Sequence, residues 1–151
     1  MRVNLDMEIP LWFSAHNLTL VDTISYSIAT ENQNVNSATL TLFADNGFPF
    51  EASTQLYIMN SNNVIIDSLM PAVNTIDEGI VNSSYIVTQS RQTKLEIPID
   101  GNKIAELYHN NKIYVKVKMN TYGYPNYLKI YSNYNMALKL VGDFNYHVIL
   151  H

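Results

Sequence analysis

The sequence contains no cysteine, and this absence removes several classes of protein at once. Disulfide scaffolds, thiol catalysis and cysteine-ligated zinc or iron–sulfur sites all require that side chain. Charge is scarce as well, because Lys, Arg, Asp and Glu make up 15% of the 151 residues and the formal net charge is −4. Proteins that bind nucleic acid electrostatically carry a basic excess, so we expect no nucleic-acid partner.

Long apolar runs are missing too. The densest runs, Leu11-Trp12-Phe13 and Val64-Ile65-Ile66, are too short to cross a bilayer, so we expect no transmembrane segment. Acidic residues and Pro10 interrupt the chain soon after Arg2, so any export signal has been removed or never existed. Hydrophobic residues still make up 47% of the chain, which predicts one globular domain over residues 1–151 rather than a disordered protein.

Alternation of apolar and polar residues is the dominant pattern in what remains. Between residues 112 and 119 one row is Ile113, Val115, Val117 and Met119, and the other is Lys112, Tyr114, Lys116 and Lys118. A period of two places these rows on opposite faces of an extended strand. The segment therefore predicts a strand of an antiparallel sheet with one face in water.

Further strands follow from the same pattern. Leu95, Ile97 and Ile99 alternate around Pro98, which cannot donate to a sheet ladder and so predicts a peripheral strand. The other candidates are residues 25–30, 37–44, 55–60, 64–69, 84–88, 127–131, 135–141 and 146–150. Asn60-Ser61-Asn62-Asn63 predicts a hairpin between 55–59 and 64–69, and Gly142-Asp143 is interpreted as a turn.

One segment has helical spacing. Asp100 can cap a helix in which Ile104, Leu107 and Tyr108 recur at i, i+3 and i+4, which predicts a short helix over residues 102–109. With a single helix and about eight to ten short strands, the sequence predicts an all-β fold, an antiparallel β-sandwich. A small barrel is the alternative, because inward and outward residues alternate in both folds.

Catalytic signatures are absent from the sequence. It has no G-x-S-x-G elbow, no H-E-x-x-H pair and no glycine-rich phosphate loop. His147 and His151 lie four residues apart in a segment with strand character, where a helical metal-ligand pair cannot form. We therefore predict that the protein is not an enzyme and has no metal or cofactor. Asp22, an acid in an apolar-leaning segment, is expected to bond to backbone amides rather than to act in catalysis.

The candidate binding residues are aromatic. Tyr122, Tyr124 and Tyr127 cluster around Gly123 and Pro125, which mark a loop, and Trp12 lies in an irregular N-terminal arm. Tyrosine and tryptophan rings stack on sugars and grip protein partners, so we name these four side chains as candidate ligand-binding residues. The competing interpretation is that the tyrosine rings, with those of Tyr131 and Tyr134, cover the ends of the sandwich and pair across strands, and that Trp12 anchors the N-terminal arm onto the core.

Five lysines indicate a second candidate surface, a basic one. Lys112, Lys116 and Lys118, joined by Lys129 and Lys139, would form a basic stripe if their strands paired. A solvated face that resists aggregation is the simpler interpretation of such lysines.

Several segments together resemble β-sandwich domains of surface and envelope lipoproteins of the Bacteroidota. They are residues 22–24, 38–40, 45–50, 55–58, 64–69, 113–121 and 128–131. The resemblance implies an exported protein of the bacterial cell envelope or cell surface, whose lipid anchor either lies upstream of this sequence or is absent. It transfers no catalytic residue, because the matching positions are structural ones in a family of unknown function.

The leading functional hypothesis is a non-catalytic interaction or scaffolding module that binds a protein partner. The second is a carbohydrate-binding module that holds a surface glycan on its loop tyrosines. The third is a carrier of lipid or another apolar ligand between the sheets.

Overall fold

The computed structural model describes residues 11–14, 16–28, 35–121 and 128–146. These residues form twelve strands and one helix. The strands are β1 Leu11–Phe13, β2 Leu18–Ser25, β3 Val35–Asn46, β4 Phe50–Met59, β5 Ile65–Ser68, β6 Asn74–Ile76, β7 Ile80–Val81, β8 Val87–Gln89, β9 Arg91–Ile99, β10 Lys112–Thr121, β11 Leu128–Ile130 and β12 Met136–Tyr146. The helix α1 spans Gly101–His109.

Two antiparallel sheets dominate the fold. The first has the order β2-β10-β4-β5, with β6 also pairing with β4, and the second has the order β12-β3-β9. Strands β1 and β11 form one small pair and β7 and β8 another. The buried apolar faces of the two large sheets form one core, so the all-β prediction is confirmed and the arrangement is sandwich-like.

The face assignment of β10 is confirmed. Ile113, Val115, Val117 and Met119 are buried, and the alternate side chains are half-buried or exposed. The neighbouring strand β4 repeats the pattern, because its buried residues stand directly opposite those of β10. Two adjacent strands thus present one continuous apolar surface to the second sheet.

Two further strand predictions are confirmed. Strand β9, which contains Pro98, is an outer strand of the second sheet among the described residues. Strands β4 and β5 form the predicted hairpin, in which Asn63 adopts the left-handed conformation with φ 61°. The Asn60 side chain completes the loop by accepting hydrogen bonds from the amides of Asn62 and Val64.

The helix prediction is also confirmed. The Asp100 side chain caps the N-terminus by accepting from the Lys103 amide at 2.9 Å, and Asn110 follows the last turn. Ile104 and Leu107 are buried in the core. At the other face Lys103 donates to the Ser68 carbonyl and pairs with Asp67 at 3.2 Å, which fastens α1 to β5.

Three predictions need correction. Strand β2 covers residues 18–25, and of the predicted strand 25–30 the described residues 26–28 lie outside any strand; the sequence pattern missed β2 because the polar Asp22 interrupts its apolar row. Gly142-Asp143 is not a turn but part of β12, where Gly142 packs beside Phe144 and Leu40 on the core side. The twelve described strands outnumber the predicted eight to ten, because β1, β6 and β7, each only two or three residues long, are not among the predicted strands. No described helix is both long enough and apolar enough to span a membrane.

Candidate functional site: an apolar cleft between two edge strands

An apolar cleft of about 620 Å³ lies between the two sheets at the side where β2 and β12 are the outer strands. Its lining residues are Leu18, Leu20, Val21, Asp22, Phe48, Phe50, Val115, Val117, Met119, Asn135, Met136 and Leu138. We call this space the β2–β12 cleft. Its volume falls in the range of small-molecule and cofactor pockets, roughly 300–1,000 Å³.

The register of β2 explains one wall of the cleft. Leu18, Leu20 and Ile24 stand opposite Met119, Val117 and Ile113 of β10, and paired residues in an antiparallel sheet point to the same face. The β2 side chains therefore belong to the core-facing row. Yet Leu20 is 49% exposed, while its partner Val117 is 6% exposed. The core-facing side chains of β10 are thus buried, whereas those of β2 remain accessible to solvent.

Strand β12 forms the facing wall in the same way. Leu138 stands opposite Ala44 of β3, which is buried on the core side. Leu138 itself is 42% exposed. Each sheet thus ends in a strand whose core-facing leucine is accessible, and the two strands border one cleft.

The end of the cleft is built from the β3–β4 connection. The rings of Phe48 and Phe50 stack with centroids 4.9 Å apart, and Tyr134 meets Phe48 edge-on at 6.2 Å. Fully buried Asn46 holds this connection: its side-chain amide donates to the carbonyls of Phe50 and Asp77, and its oxygen accepts from the Phe48 amide. Asn46, whose side-chain nitrogen and oxygen are both hydrogen-bonded, therefore fixes the Phe48 and Phe50 rings, which we call the aromatic floor of the cleft.

Asp22 is the one charged residue among the twelve that line the cleft. It stands opposite Val115, in the same row of β2 as Leu20 and Ile24. Its Oδ1 accepts a hydrogen bond from the Thr23 amide at 2.7 Å, which confirms the expected backbone partner. The sequence therefore identified the residue and its bond, but not its position in a cleft.

The tyrosine-loop prediction is not tested. Tyr122, Tyr124 and Tyr127 lie outside the described residues. The backbone of Trp12 lies in β1 opposite Lys129, and its side chain lies outside the description. These four candidates stay predictions.

The neighbouring tyrosines Tyr131 and Tyr134 have packing roles. They are half-buried and pack edge-on with centroids 5.4 Å apart. The Tyr134 hydroxyl also accepts a hydrogen bond from the Val87 amide at 3.0 Å. For these two residues the covering interpretation fits the contacts.

The five lysines do not form one stripe. Lys112, Lys116 and Lys118 share the outer face of the first sheet, whereas Lys139 lies on β12 of the second sheet and Lys129 on β11. Lys112 is engaged in the β4–β5 loop, where it donates to Asn63 at 2.7 Å. In the described part of the chain, no group of three or more His, Asp or Glu side chains is placed to hold a metal ion. His147 and His151 lie outside it.

Comparison with known proteins supports the fold. No family model and no curated protein sequence matches the chain. A predicted secreted protein from Parabacteroides distasonis superposes with a TM-score of 0.53 and 19% identity, over 81% of this chain and 36% of that one. The infectious bursal disease virus Gx strain structure gives a TM-score of 0.50 and 9% identity, over 92% of this chain and 30% of that one.

The chain thus spans about a third of the length of each of these structures. At such low identities the likeness shows a shared fold. Parabacteroides belongs to the Bacteroidota, the group indicated by the sequence resemblance.

Proposed function

We propose that this chain is a non-catalytic interaction module of an exported bacterial envelope or surface protein, and that the β2–β12 cleft binds its partner. The observation that carries the proposal is the exposure of core-type leucines on both walls of one cleft. Contiguous exposed apolar surface of this kind costs solubility and is typical of binding sites. A protein partner would return these side chains to an apolar environment.

The chemistry of the cleft supports binding over catalysis. General acid–base chemistry or nucleophilic attack needs at least two groups held in a defined geometry. Here a single carboxylate, Asp22, stands among apolar side chains and bonds to a backbone amide. The lining resembles the apolar centre of a protein interface.

Export is supported by the comparison with Parabacteroides distasonis. The superposed protein is a predicted secreted protein from the same bacterial group as the sequence resemblance. The composition agrees with this setting, since asparagine occurs 19 times against nine Lys and Arg, which favours a neutral polar surface. Fractionation of the native host, followed by immunodetection of this chain, tests the location. Recovery in the cytoplasmic fraction alone would contradict export.

Binding at the cleft is tested with a neutral solvatochromic dye such as Nile red. We expect the wild-type protein to bind the dye with a blue-shifted emission, and Leu20→Gln and Leu138→Gln to weaken binding at least threefold. Ile65→Gln is the matched control, because Ile65 is 47% exposed and lies outside the cleft lining. Equal losses in all three variants, or no wild-type binding, would contradict the proposal.

A second candidate function is the carriage of an apolar small molecule. The cleft volume of about 620 Å³ is the observation that favours it. Native mass spectrometry of protein purified without detergent tests this function, and a carrier would retain an extractable lipid that Leu20→Gln releases. The glycan hypothesis for Tyr122, Tyr124 and Tyr127 stays a prediction that a glycan array can test.

A further inference from the structure

The free side of β2 borders the cleft directly. Among the described strands β2 pairs with β10 alone, so no other described strand lies along the second side of its backbone. Its core-facing residues Leu18, Leu20, Asp22 and Ile24 alternate along eight residues. An edge strand with apolar side chains and an unpaired backbone is a template for strand addition.

We propose that the partner supplies an extended segment that pairs with β2, inserts alternate apolar side chains into the cleft and places a lysine or arginine beside Asp22. This inference rests on the proposed function and specifies the partner. Alternate residues of an added strand are about 6.8 Å apart, the same spacing as the β2 row. Each inward-facing side chain of the added segment would therefore lie beside one residue of the core-facing row of β2.

The backbone of β2 favours a peptide over a lipid chain. An acyl chain can cover Leu18, Leu20 and Leu138, but it offers no hydrogen bonds to a strand edge. A peptide strand satisfies the edge and fills the cleft with the same residues. The eight-residue length of β2 is enough for a partner segment of ordinary strand length.

The Asp22 carboxylate indicates that the partner segment carries a positive charge. One of its oxygens accepts from the Thr23 amide, and the other has no hydrogen bond among the described residues. Covering the cleft would remove water from this carboxylate, and a desolvated charge is costly unless it is paired. A basic side chain on the added strand supplies the pair, whereas an acidic one would bring two like charges together.

The same carboxylate disfavours a second copy of this chain as the occupant. A two-fold antiparallel pair of β2 strands centred on Asp22 would place the two carboxylates directly opposite each other. Centred on Val21, it would place each carboxylate against Leu20 of the other copy, with the two charges as diagonal neighbours. The net charge of −4 adds to this repulsion. A heterologous basic strand avoids both arrangements.

The test uses the full chain and four synthetic nine-residue peptides. The parent peptide alternates threonine and valine, two others replace its central valine by lysine or by glutamate, and the fourth is the lysine peptide with alternate backbone amides N-methylated. Affinities are measured by fluorescence anisotropy on the wild-type protein, Asp22→Asn and Asp22→Lys, each checked for native circular dichroism.

We expect the lysine peptide to bind wild-type protein about tenfold more tightly than the glutamate peptide. The preference should vanish in Asp22→Asn and reverse in Asp22→Lys, and N-methylation should abolish binding. Leu20→Gln should weaken every peptide, and Ile65→Gln none.

The outcomes separate the two proposals. If the dye binds in a Leu20-dependent way but the peptides do not bind, the strand inference is overturned and the proposed binding function of the cleft stands. If neither the dye nor the peptides bind, both proposals are overturned. Equal affinity for the lysine and glutamate peptides would show that Asp22 only protects the edge from aggregation, which overturns the charge assignment. Light scattering could instead reveal a concentration-dependent dimer that forms in competition with the peptides. That result would identify a second copy of the chain as the occupant and overturn the inference of a basic partner strand.

Discussion

The side-chain amide of Asn46 donates to the backbone carbonyl of Phe50 at 2.9 Å. Through this bond a residue at the end of β3 holds the first residue of β4, in the other sheet. The same amide reaches Asp77, so one buried side chain ties three segments together. The aromatic floor of the cleft rests on this arrangement.

Asn46→Ala should therefore cost about 3 kcal/mol of unfolding free energy, because one buried and two partly buried backbone groups lose their hydrogen bonds to this side chain. Urea denaturation measures this loss. The exposed Asn62 provides the control, and Asn62→Ala should change the unfolding free energy by less than about 0.5 kcal/mol. Nile red binding should weaken in Asn46→Ala even at temperatures where the variant is folded. Unchanged stability would show that the three bonds are dispensable.

At position 63 a glycine variant should be more stable than an alanine variant, which is the reverse of the order expected at most positions. Its φ of 61° lies in the left-handed region, where an L-residue with a Cβ is penalised and glycine is not. We expect Asn63→Gly to be more stable than Asn63→Ala by about 1 kcal/mol in thermal or urea unfolding. Both variants lose the Lys112 hydrogen bond, so their difference isolates the backbone term. If alanine is the more stable variant, the left-handed loop does not form in solution.

Thr54 should be improved by valine. It is fully buried in β4, and its hydroxyl has no hydrogen-bond partner among the described residues. Thr54→Val removes this unsatisfied group at nearly constant volume and should raise the unfolding free energy by about 1 kcal/mol. Thr54→Ser keeps the hydroxyl, loses the methyl group and should lower stability by about the same amount. Destabilisation by valine would mean that the hydroxyl is bonded.

Tyr26 should make the fold sensitive to alkali. Burial raises its pKa from 10.0 to about 12, and its hydroxyl donates to the Leu107 carbonyl at 2.9 Å. A raised folded-state pKa means that this stabilising contribution is complete below pH 10 and is lost as the pH rises towards 12.

Tyr26→Phe should lose about 1 kcal/mol of unfolding free energy at neutral pH, since the hydrogen bond to α1 is gone. The difference from wild type should shrink between pH 10 and pH 12, the range between the ordinary and the raised pKa. Denaturation at a series of pH values measures it. A difference that stays constant across this range would contradict the buried position of the hydroxyl.

The sequence pattern was sufficient where strands have one wet and one buried face. Strand β10, the β4–β5 hairpin and helix α1 follow from alternation, an asparagine loop and an Asp100 cap, all of which are local signals. The pattern failed for β2, because Asp22 occupies a position in the apolar row and breaks the alternation. It also failed at Gly142, whose lack of a side chain serves packing rather than a turn.

The cleft could not be predicted for a different reason. Its walls come from β2 and β12, which are far apart in sequence, and periodicity does not show that Leu20 and Leu138 border the same space. The one usable signal was Asp22, since an acid in an apolar row marks a place where the row is not fully buried. Partial exposure of core-type residues is a property of how sheets are ordered and where they end.

Because the chain contains no cysteine, single-cysteine variants can measure directly whether the cleft is open. Reaction rates with a neutral maleimide should be similar, within about tenfold, for Leu20→Cys, Leu138→Cys and the exposed reference Ile65→Cys. Leu56→Cys, at a position 1% exposed in the core, should react far more slowly. Cleft cysteines that react as slowly as the Leu56 variant would show that the β2–β12 cleft is closed in solution and would contradict the account.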